Sequence, residues 1–174
     1  MSRIRIAVVS TGGTIEKSYD ELSGVLANQV NILDIMLASL QLAGVDIVRV
    51  RLMNKDSLDM TEDDHNLIAR TAGSMARGHD GVVVVHGTDR MSHSGERTLE
   101  LNPNLASPIV FTGAMRPYEM RTTDALQNMT EALLAVQLLD AGVYVAMHNK
   151  VLSFPGVTKD TTKGTFVKET PGTD

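Results

Sequence analysis

The sequence predicts an α/β fold: a doubly wound, mainly parallel sheet with helices on both faces, in a three-layer flavodoxin-like or Rossmann-like arrangement. Short apolar, β-branched runs alternate with longer segments whose apolar residues recur every three or four positions. Such alternation is typical of right-handed βαβ units. It stops after residue 148, where Pro and Gly interrupt a threonine-rich stretch. We therefore expect one domain over 1–174, with a core at 3–148 and a C-terminal hairpin or arm at 149–174.

The first half of the chain contains three predicted strands and two predicted helices. Apolar β-branched runs predict strands at 4–10 and 81–87, and alternation with period two predicts a half-buried strand at 46–53. Apolar spacings of three and four predict a helix over 29–43 that ends at Gly44. Thr61 and Asp64 form a capping-box pattern, which predicts a second helix from Thr61 to Gly78.

The second half repeats the alternation twice. Helices are predicted at 92–101 and at 121–139, the latter rich in Ala, Leu and Met. Strands are predicted at 107–113 ("SPIVFTG") and 142–148 ("GVYVAMH"). Five strands then form the parallel part of the sheet.

Composition excludes several classes of function. The 174 residues carry a net charge of −5 without a Lys/Arg cluster, which argues against a nucleic-acid partner. Cysteine is absent, which excludes disulfides, thiolate metal sites and a Cys nucleophile. No run has the ~18 apolar residues of a membrane span, and the N-terminus does not resemble a signal peptide. We therefore expect a cytoplasmic protein without a membrane partner.

Polar residues and glycines follow four of the five predicted strands, at 11–14, 54–59, 86–89 and 112–116. Ligands of open parallel sheets bind outside the carboxyl ends of the strands, so these segments predict a site. Their sequences match neither the GxGxxG nor the P-loop pattern, and GxSxG is absent as well. His86 and His93 are interpreted as two unrelated polar contacts rather than as metal ligands.

Two threonines, Thr14 and Thr88, each follow a glycine at a strand exit. A threonine hydroxyl needs a proton acceptor to become a nucleophile, and Tyr19 or a lysine of lowered pKa would serve. Glycines let backbone N–H groups approach a developing oxyanion. The residues alone leave two interpretations open: a hydrolase, or Gly-Thr turns that only shape the backbone.

Five motifs in order, "TGGTI", "DSLDMT", "HGTDRM", "GAMRP" and "GVTKDTT", resemble those of the bacterial-type L-asparaginases in their short, single-domain form. Together they span residues 11–162. The resemblance implies hydrolysis of L-asparagine to L-aspartate and ammonia through a threonine acyl-enzyme, without a cofactor or metal. It also implies a homo-oligomer, a dimer or a tetramer.

The resemblance assigns roles to matching positions. Thr14 is the implied nucleophile, and Tyr19 lies over it on a mobile polar loop of residues 15–27. Thr88, Asp89 and Lys159 form a second catalytic cluster. The implied substrate-binding residues are those that hold the α-ammonium group, the α-carboxylate or the amide: Asp89, Ser57, Thr88, Ala114 and Gly13.

Two positions depart from the family pattern: Arg90, which we expect to point to solvent, and Leu58. Arg116 is expected to pin its loop through a salt bridge. Alternative functions are a glutaminase or an amidase subunit of the same family, since L-glutamine is one methylene longer. A catalytically inactive amino-acid-binding module, or an excised N-terminal domain, are further alternatives. The complete set Thr14, Thr88, Asp89 and Lys159 disfavours the binding module.

Overall fold

The computed structural model describes residues 3–28 and 32–169. Strands β1 to β10 follow in chain order: Ile4–Gly12, Lys17–Asp20, Val25–Asn28, Val45–Lys55, Gly81–Val85, Ile109–Thr112, Val143–Met147, Lys150–Ser153, Val157–Asp160 and Thr165–Lys168. Helices α1 to α4 cover Ile32–Ala38, Glu62–Ala76, Met91–Leu101 and Ala125–Ala135. Two single 3₁₀ turns, Thr14–Glu16 and Ser57–Asp59, follow β1 and β4.

Six strands form the main sheet in the order β4-β1-β5-β6-β7-β8. The first five are mutually parallel, and β8 returns antiparallel beside β7. The parallel strands follow the 2-1-3-4-5 order of a doubly wound sheet. The predicted α/β class is confirmed. After β4 is added on one side of β1, the later parallel strands are added on the other side, beginning with β5. Such sheets bind ligands at this switch point between β1 and β5.

Helices pack on both faces of the sheet, as predicted. Alternate residues of β1 point to opposite faces, so Ile6 and Val8 contact one core while Ala7 and Val9 contact the other. The first core includes residues of α1 and α4, and the second includes residues of α2 and α3. All five residues of β5 are buried, which explains its unbroken run of valines.

Helix bounds differ from the predictions at three places, one of which is the end of α4 at Ala135 rather than at residue 139. Of the predicted helix 29–43, residues 29–31 lie outside the described residues, and α1 ends at Ala38. The Ser39 hydroxyl donates to Met36 O and so satisfies a carbonyl at the helix end. The helix predicted from residue 121 begins only at Ala125, because the Asp124 carboxylate accepts the N–H groups of Met115 and Arg116 instead.

The predicted loop over 15–27 is a 3₁₀ turn followed by the β2–β3 hairpin. At the other end, the predicted arm consists of β8 and the antiparallel hairpin β9–β10, whose Val157 and Phe166 are buried against the α2–α3 core. The tail at 170–174 lies outside the described residues. Within the two described ranges, each helix is too short or too polar to span a bilayer.

Candidate active site

The turns that follow β1 and β5 are in direct backbone contact. A methyl group added to Gly13 would lie 2.6 Å from both the N and the Cα of Gly87. Gly13 also has φ +91°, a conformation that other residues rarely adopt. The two glycines therefore allow the turns to touch, and the next residue of each turn is a threonine. The structure thus brings together Thr14 and Thr88.

The turn after β4 joins the same place, although β1 lies between β4 and β5. A methyl group on Gly87 would lie 2.6 Å from Ser57 Oγ. Ser57 is 1% exposed, and its hydroxyl accepts the Arg90 N–H at 3.3 Å. Ala114, also buried, belongs to the turn after β6, where a methyl group on Gly113 would collide with His86 O. Four strand exits therefore meet at one edge.

The lysine of the cluster comes from the C-terminal arm. Lys159 in β9 points its Nζ to Thr88 Oγ1 at 2.8 Å and to Asp89 Oδ1 at 2.7 Å. Thr88 is 5% exposed, whereas the Asp89 side chain is 45% exposed and open to a ligand. An ammonium group that donates to a hydroxyl oxygen favours loss of the hydroxyl proton. Lys159 therefore contacts both Thr88 and Asp89, the residues with which the family resemblance groups it.

Thr14 is half-buried, and the hairpin after it is largely exposed. Tyr19 is 56% exposed, and its hydroxyl lies near Gly24, where an added methyl group would be 3.9 Å away. The main-chain N–H of Tyr19 donates to the Glu119 carboxylate. At the base of the hairpin, Lys17 Nζ pairs with Asp56 Oδ2 at 2.8 Å. Among the described residues, Tyr19 thus contacts Glu119 and lies near Gly24, and neither of these is another predicted site residue.

Glu16 is a buried acid that sequence reasoning placed in the polar loop. It lies two residues beyond Thr14 and is 4% exposed. Burial raises the pKa of its carboxyl to about 7, although the nearby Arg49 guanidinium lowers it. A cavity of about 200 Å³ beside it is also lined by Ser10, Arg51, Met53 and Asn54. The polar residues that follow Glu16 in the sequence do not predict that its side chain is buried.

His86 and His93 make separate polar contacts, His86 with Gly87 O and Ser94 Oγ and His93 with the Glu62 carboxylate, although both rings lie near that of His65. His86 Nε2 and His65 Nδ1 each lie 2.7 Å from Ser94 Oγ, and the rings of His65 and His93 pack edge-on with centroids 4.4 Å apart. Burial lowers the pKa of His86 to about 4. No group of three His, Cys, Asp or Glu within 3–28 and 32–169 is placed to hold a metal ion.

Three further positions singled out in the sequence are Arg90, Leu58 and Arg116. Arg90 is exposed, as predicted, and Leu58 is 61% exposed. Arg116 does pin its loop, but through a hydrogen bond from Nη1 to Thr122 O at 2.9 Å rather than through the expected salt bridge. The loop carboxylate, Asp124, is taken up by main-chain N–H groups and by His148.

The family model described as "Asparaginase, N-terminal" matches residues 5–169. Two kinds of relative share this region. A glutamyl-tRNA(Gln) amidotransferase subunit of Haloquadratum walsbyi is 35% identical over 145 residues, which cover 82% of this chain and 33% of the relative. The L-asparaginase of Thermococcus kodakarensis is 30% identical over 162 residues, which cover 90% of this chain and 48% of the relative.

Solved structures give the same picture. The thermostable L-asparaginase from T. kodakarensis superposes with a TM-score of 0.84 at 28% identity, over 95% of this chain and 51% of that one. A probable cytoplasmic L-asparaginase from Campylobacter jejuni gives 0.74 at 30% identity, over 90% and 50%. The chain thus spans between a third and a half of the length of these relatives.

Proposed function

The chain belongs to the asparaginase family, and from this premise we propose that it is an L-asparagine amidohydrolase that forms L-aspartate and ammonia through an acyl-enzyme on Thr14. The observation that carries the proposal is the pair of touching turns. One turn presents the Thr14 hydroxyl, and the other presents a threonine whose hydroxyl receives a hydrogen bond from a lysine. Hydroxyl nucleophiles require such a neighbour that helps to move a proton.

The proposed reaction has two steps. Thr14 Oγ1 attacks the side-chain amide carbon, an ester bond forms, and the C–N bond breaks as the hydroxyl proton passes to the leaving ammonia. Water then attacks the ester carbon, a proton of that water passes to Thr14 Oγ1 as the ester bond breaks, and L-aspartate leaves. Thr88 relays the proton: its oxygen accepts the Thr14 proton as its own hydroxyl proton passes to the leaving ammonia, and Lys159 stabilises the negative charge that develops on Thr88 Oγ1. Tyr19 takes part only after the β2–β3 hairpin closes over Thr14.

Substrate recognition follows from charge. The Asp89 carboxylate, half-exposed beside Lys159, is suited to the α-ammonium group. The Ser57 hydroxyl, next to the Arg90 N–H, is suited to the α-carboxylate. The Gly13 and Thr88 backbones and the Ala114 turn line the space for the amide. No metal or cofactor enters this scheme.

The second candidate is an amide-hydrolysing subunit that works with a partner protein. The 35% identity to a glutamyl-tRNA(Gln) amidotransferase subunit favours it, because the identity to L-asparaginases is no higher. One methylene changes the free energy of substrate binding by only about 1–3 kcal/mol, so the residues do not separate asparagine from glutamine.

Homo-oligomer formation and a cytoplasmic location are further parts of the proposal. The absence of cysteine is in keeping with the cytoplasmic location.

The test measures ammonia release from L-asparagine and from L-glutamine by the wild type, by Thr14→Ala and by Thr130→Ala. Thr130 is an exposed threonine on α4 and serves as the matched control. We expect Thr14→Ala to reduce turnover at least about 10³-fold and the control to match the wild type. Turnover that survives in Thr14→Ala moves the nucleophile to Thr88. No release by the wild type, with amino-acid binding detected by calorimetry, indicates the binding module instead.

A further inference from the structure

Behind the Thr88 turn lies a continuous hydrogen-bonded chain of three buried side chains. Ser94 Oγ, fully buried in α3, lies 2.7 Å from His65 Nδ1 of α2 and 2.7 Å from His86 Nε2 at the end of β5. The other ring nitrogen of His86, Nδ1, lies 2.7 Å from Gly87 O. His65 and His86 are 2% and 0% exposed. The chain therefore ties two helices to the turn that carries Thr88.

One carbonyl fixes the direction of every hydrogen bond in this chain. A carbonyl oxygen only accepts, so His86 Nδ1 carries the proton and donates to Gly87 O. The neutral ring then has an acceptor at Nε2, to which the Ser94 hydroxyl donates. The Ser94 oxygen in turn accepts from His65 Nδ1. Burial lowers the pKa of both imidazoles, which keeps the rings neutral and preserves this order near pH 7.

The end of the chain sets the orientation of one peptide group. In a trans peptide the C=O and the following N–H point in opposite directions. Because Gly87 O points to the buried His86 ring, the Thr88 N–H points away from it. The same peptide carries the Thr88 side chain towards Lys159, and its glycine touches Gly13 beside Thr14.

We propose that Ser94 is a positioning residue for the proposed hydrolysis. Its hydroxyl holds His65 and His86 in single tautomers, and His86 in turn fixes the Gly87–Thr88 peptide in the orientation that the site uses. The inference rests on the proposed function, because it concerns the geometry of the proposed catalytic threonine. Preorganised dipoles matter most in the transition state, so the loss of this chain lowers kcat more than it changes KM.

The experiment compares Ser94→Ala with Ser94→Thr and with Thr98→Val. Ser94→Ala removes the hydroxyl, and Ser94→Thr keeps it. Thr98 is the matched control. It is another fully buried hydroxyl of α3, it donates to Ser94 O, and it is not part of the hydrogen-bonded chain through His65, Ser94 and His86. For each protein, kcat and KM are measured on the amide that the wild type hydrolyses. NMR records the ¹⁵N shifts of the His86 ring and the Thr88 amide signal.

We expect Ser94→Ala to lower kcat about 10-fold with KM within about twofold, a smaller loss than that of a direct transition-state donor. We also expect it to shift the Thr88 amide signal and to mix the His86 tautomers. Ser94→Thr recovers most of kcat, and Thr98→Val matches the wild type in both readouts. A folded Ser94→Ala protein with wild-type kcat and an unmoved Thr88 signal overturns the proposal.

Two further outcomes keep this inference separate from the proposed function. If Ser94→Ala does not fold, the wild-type spectrum decides: a His86 ring protonated at Nε2 rather than Nδ1 contradicts the chain, and Nδ1 protonation supports it. If the wild type hydrolyses neither amide, the proposed function fails. The Thr88 amide signal in Ser94→Ala then still shows whether Ser94 fixes the peptide.

Discussion

The two threonine-bearing turns differ in how firmly they are held. Thr88 is 5% exposed, its hydroxyl is bound to Lys159, and its turn is tied to α2 and α3 through buried side chains. Thr14, by contrast, is half-buried, and it leads into a hairpin that carries the exposed Tyr19. The hairpin contacts the rest of the protein through polar pairs such as Lys17–Asp56.

This difference in rigidity indicates that the two turns contribute to the proposed reaction in different ways. The Thr88 side is preorganised, so its dipoles need not rearrange as the reaction proceeds. In the proposed function, the Thr14 side is completed when its hairpin covers the ligand and excludes water. Substitutions on the first side should therefore act on the chemical step. Substitutions on the second should act on closure or on local stability.

The sharpest test of the preorganised side is Lys159→Met, which keeps the length of the side chain and removes the ammonium group. Thr88 Oγ1 and Asp89 Oδ1 both lose their charged partner. We expect kcat to fall about 10²–10³-fold, the usual cost of losing one strong electrostatic contact in an active site. Lys163→Met is the control, because that lysine of the same arm is 71% exposed. Equal activity of the two variants would remove the cluster from the mechanism.

On the Thr14 side, Glu16→Gln tests the buried acid through stability. The folded-state pKa is about 7 against 4.5 for the free group, so the folded protein binds more protons than the unfolded chain between these values. This group therefore makes the free energy of unfolding decrease as pH rises from about 4.5 to about 7. Glutamine removes that slope, and we expect a gain of up to about 3 kcal/mol at pH 8 and little change at pH 4.5.

Denaturant unfolding of wild type, Glu16→Gln and Glu100→Gln at both pH values measures this effect. Glu100 is the matched control for the Glu-to-Gln change, because it lies on the surface in a salt bridge with Arg97. A gain by Glu16→Gln that is the same at pH 4.5 and pH 8 would show that folding does not shift the pKa of Glu16.

The smallest expected effect belongs to Tyr19→Phe. We expect kcat to fall about 10-fold, less than the roughly 10²–10⁴-fold of a group that transfers the proton itself, because in our proposal Tyr19 only assists Thr14 once the hairpin closes. Tyr144→Phe is the control, because its hydroxyl donates to Asp140 O in the β6–β7 connection. If Tyr19→Phe has wild-type kcat, the hairpin acts by excluding water and not through this hydroxyl.

The sequence was sufficient for the sheet and for much of the site. Period-two alternation and runs of β-branched residues predict the strands, because residues that are consecutive in the sequence pack directly against the core of a parallel sheet. The strand exits could be read as one site because the carboxyl ends of parallel strands meet at one edge. Joining Lys159 to Thr88 required the family motifs, since 71 residues separate them.

Other features depend on contacts that no local pattern encodes. Glu16 lies in a polar stretch, yet the packing around the edge of β1 buries it. The hydrogen-bonded chain through Ser94 joins side chains of α2, of α3 and of the turn after β5. His65 is 29 positions from Ser94, and His86 is 8 positions from it. The early end of α1 and the late start of α4 result from side-chain hydrogen bonds that compete with helical ones.

The position of Lys159 has a consequence for biosynthesis. Strands β1 to β7 and their helices lie before residue 148, and during synthesis N-terminal segments emerge and fold first. A nascent chain can therefore pair its five parallel strands and bring the two threonine turns together before the lysine has left the ribosome. Only when β9 docks does the ammonium group reach Thr88. The β9–β10 hairpin therefore completes the Lys159–Thr88 contact after the strands and helices that carry the two threonine turns have been translated.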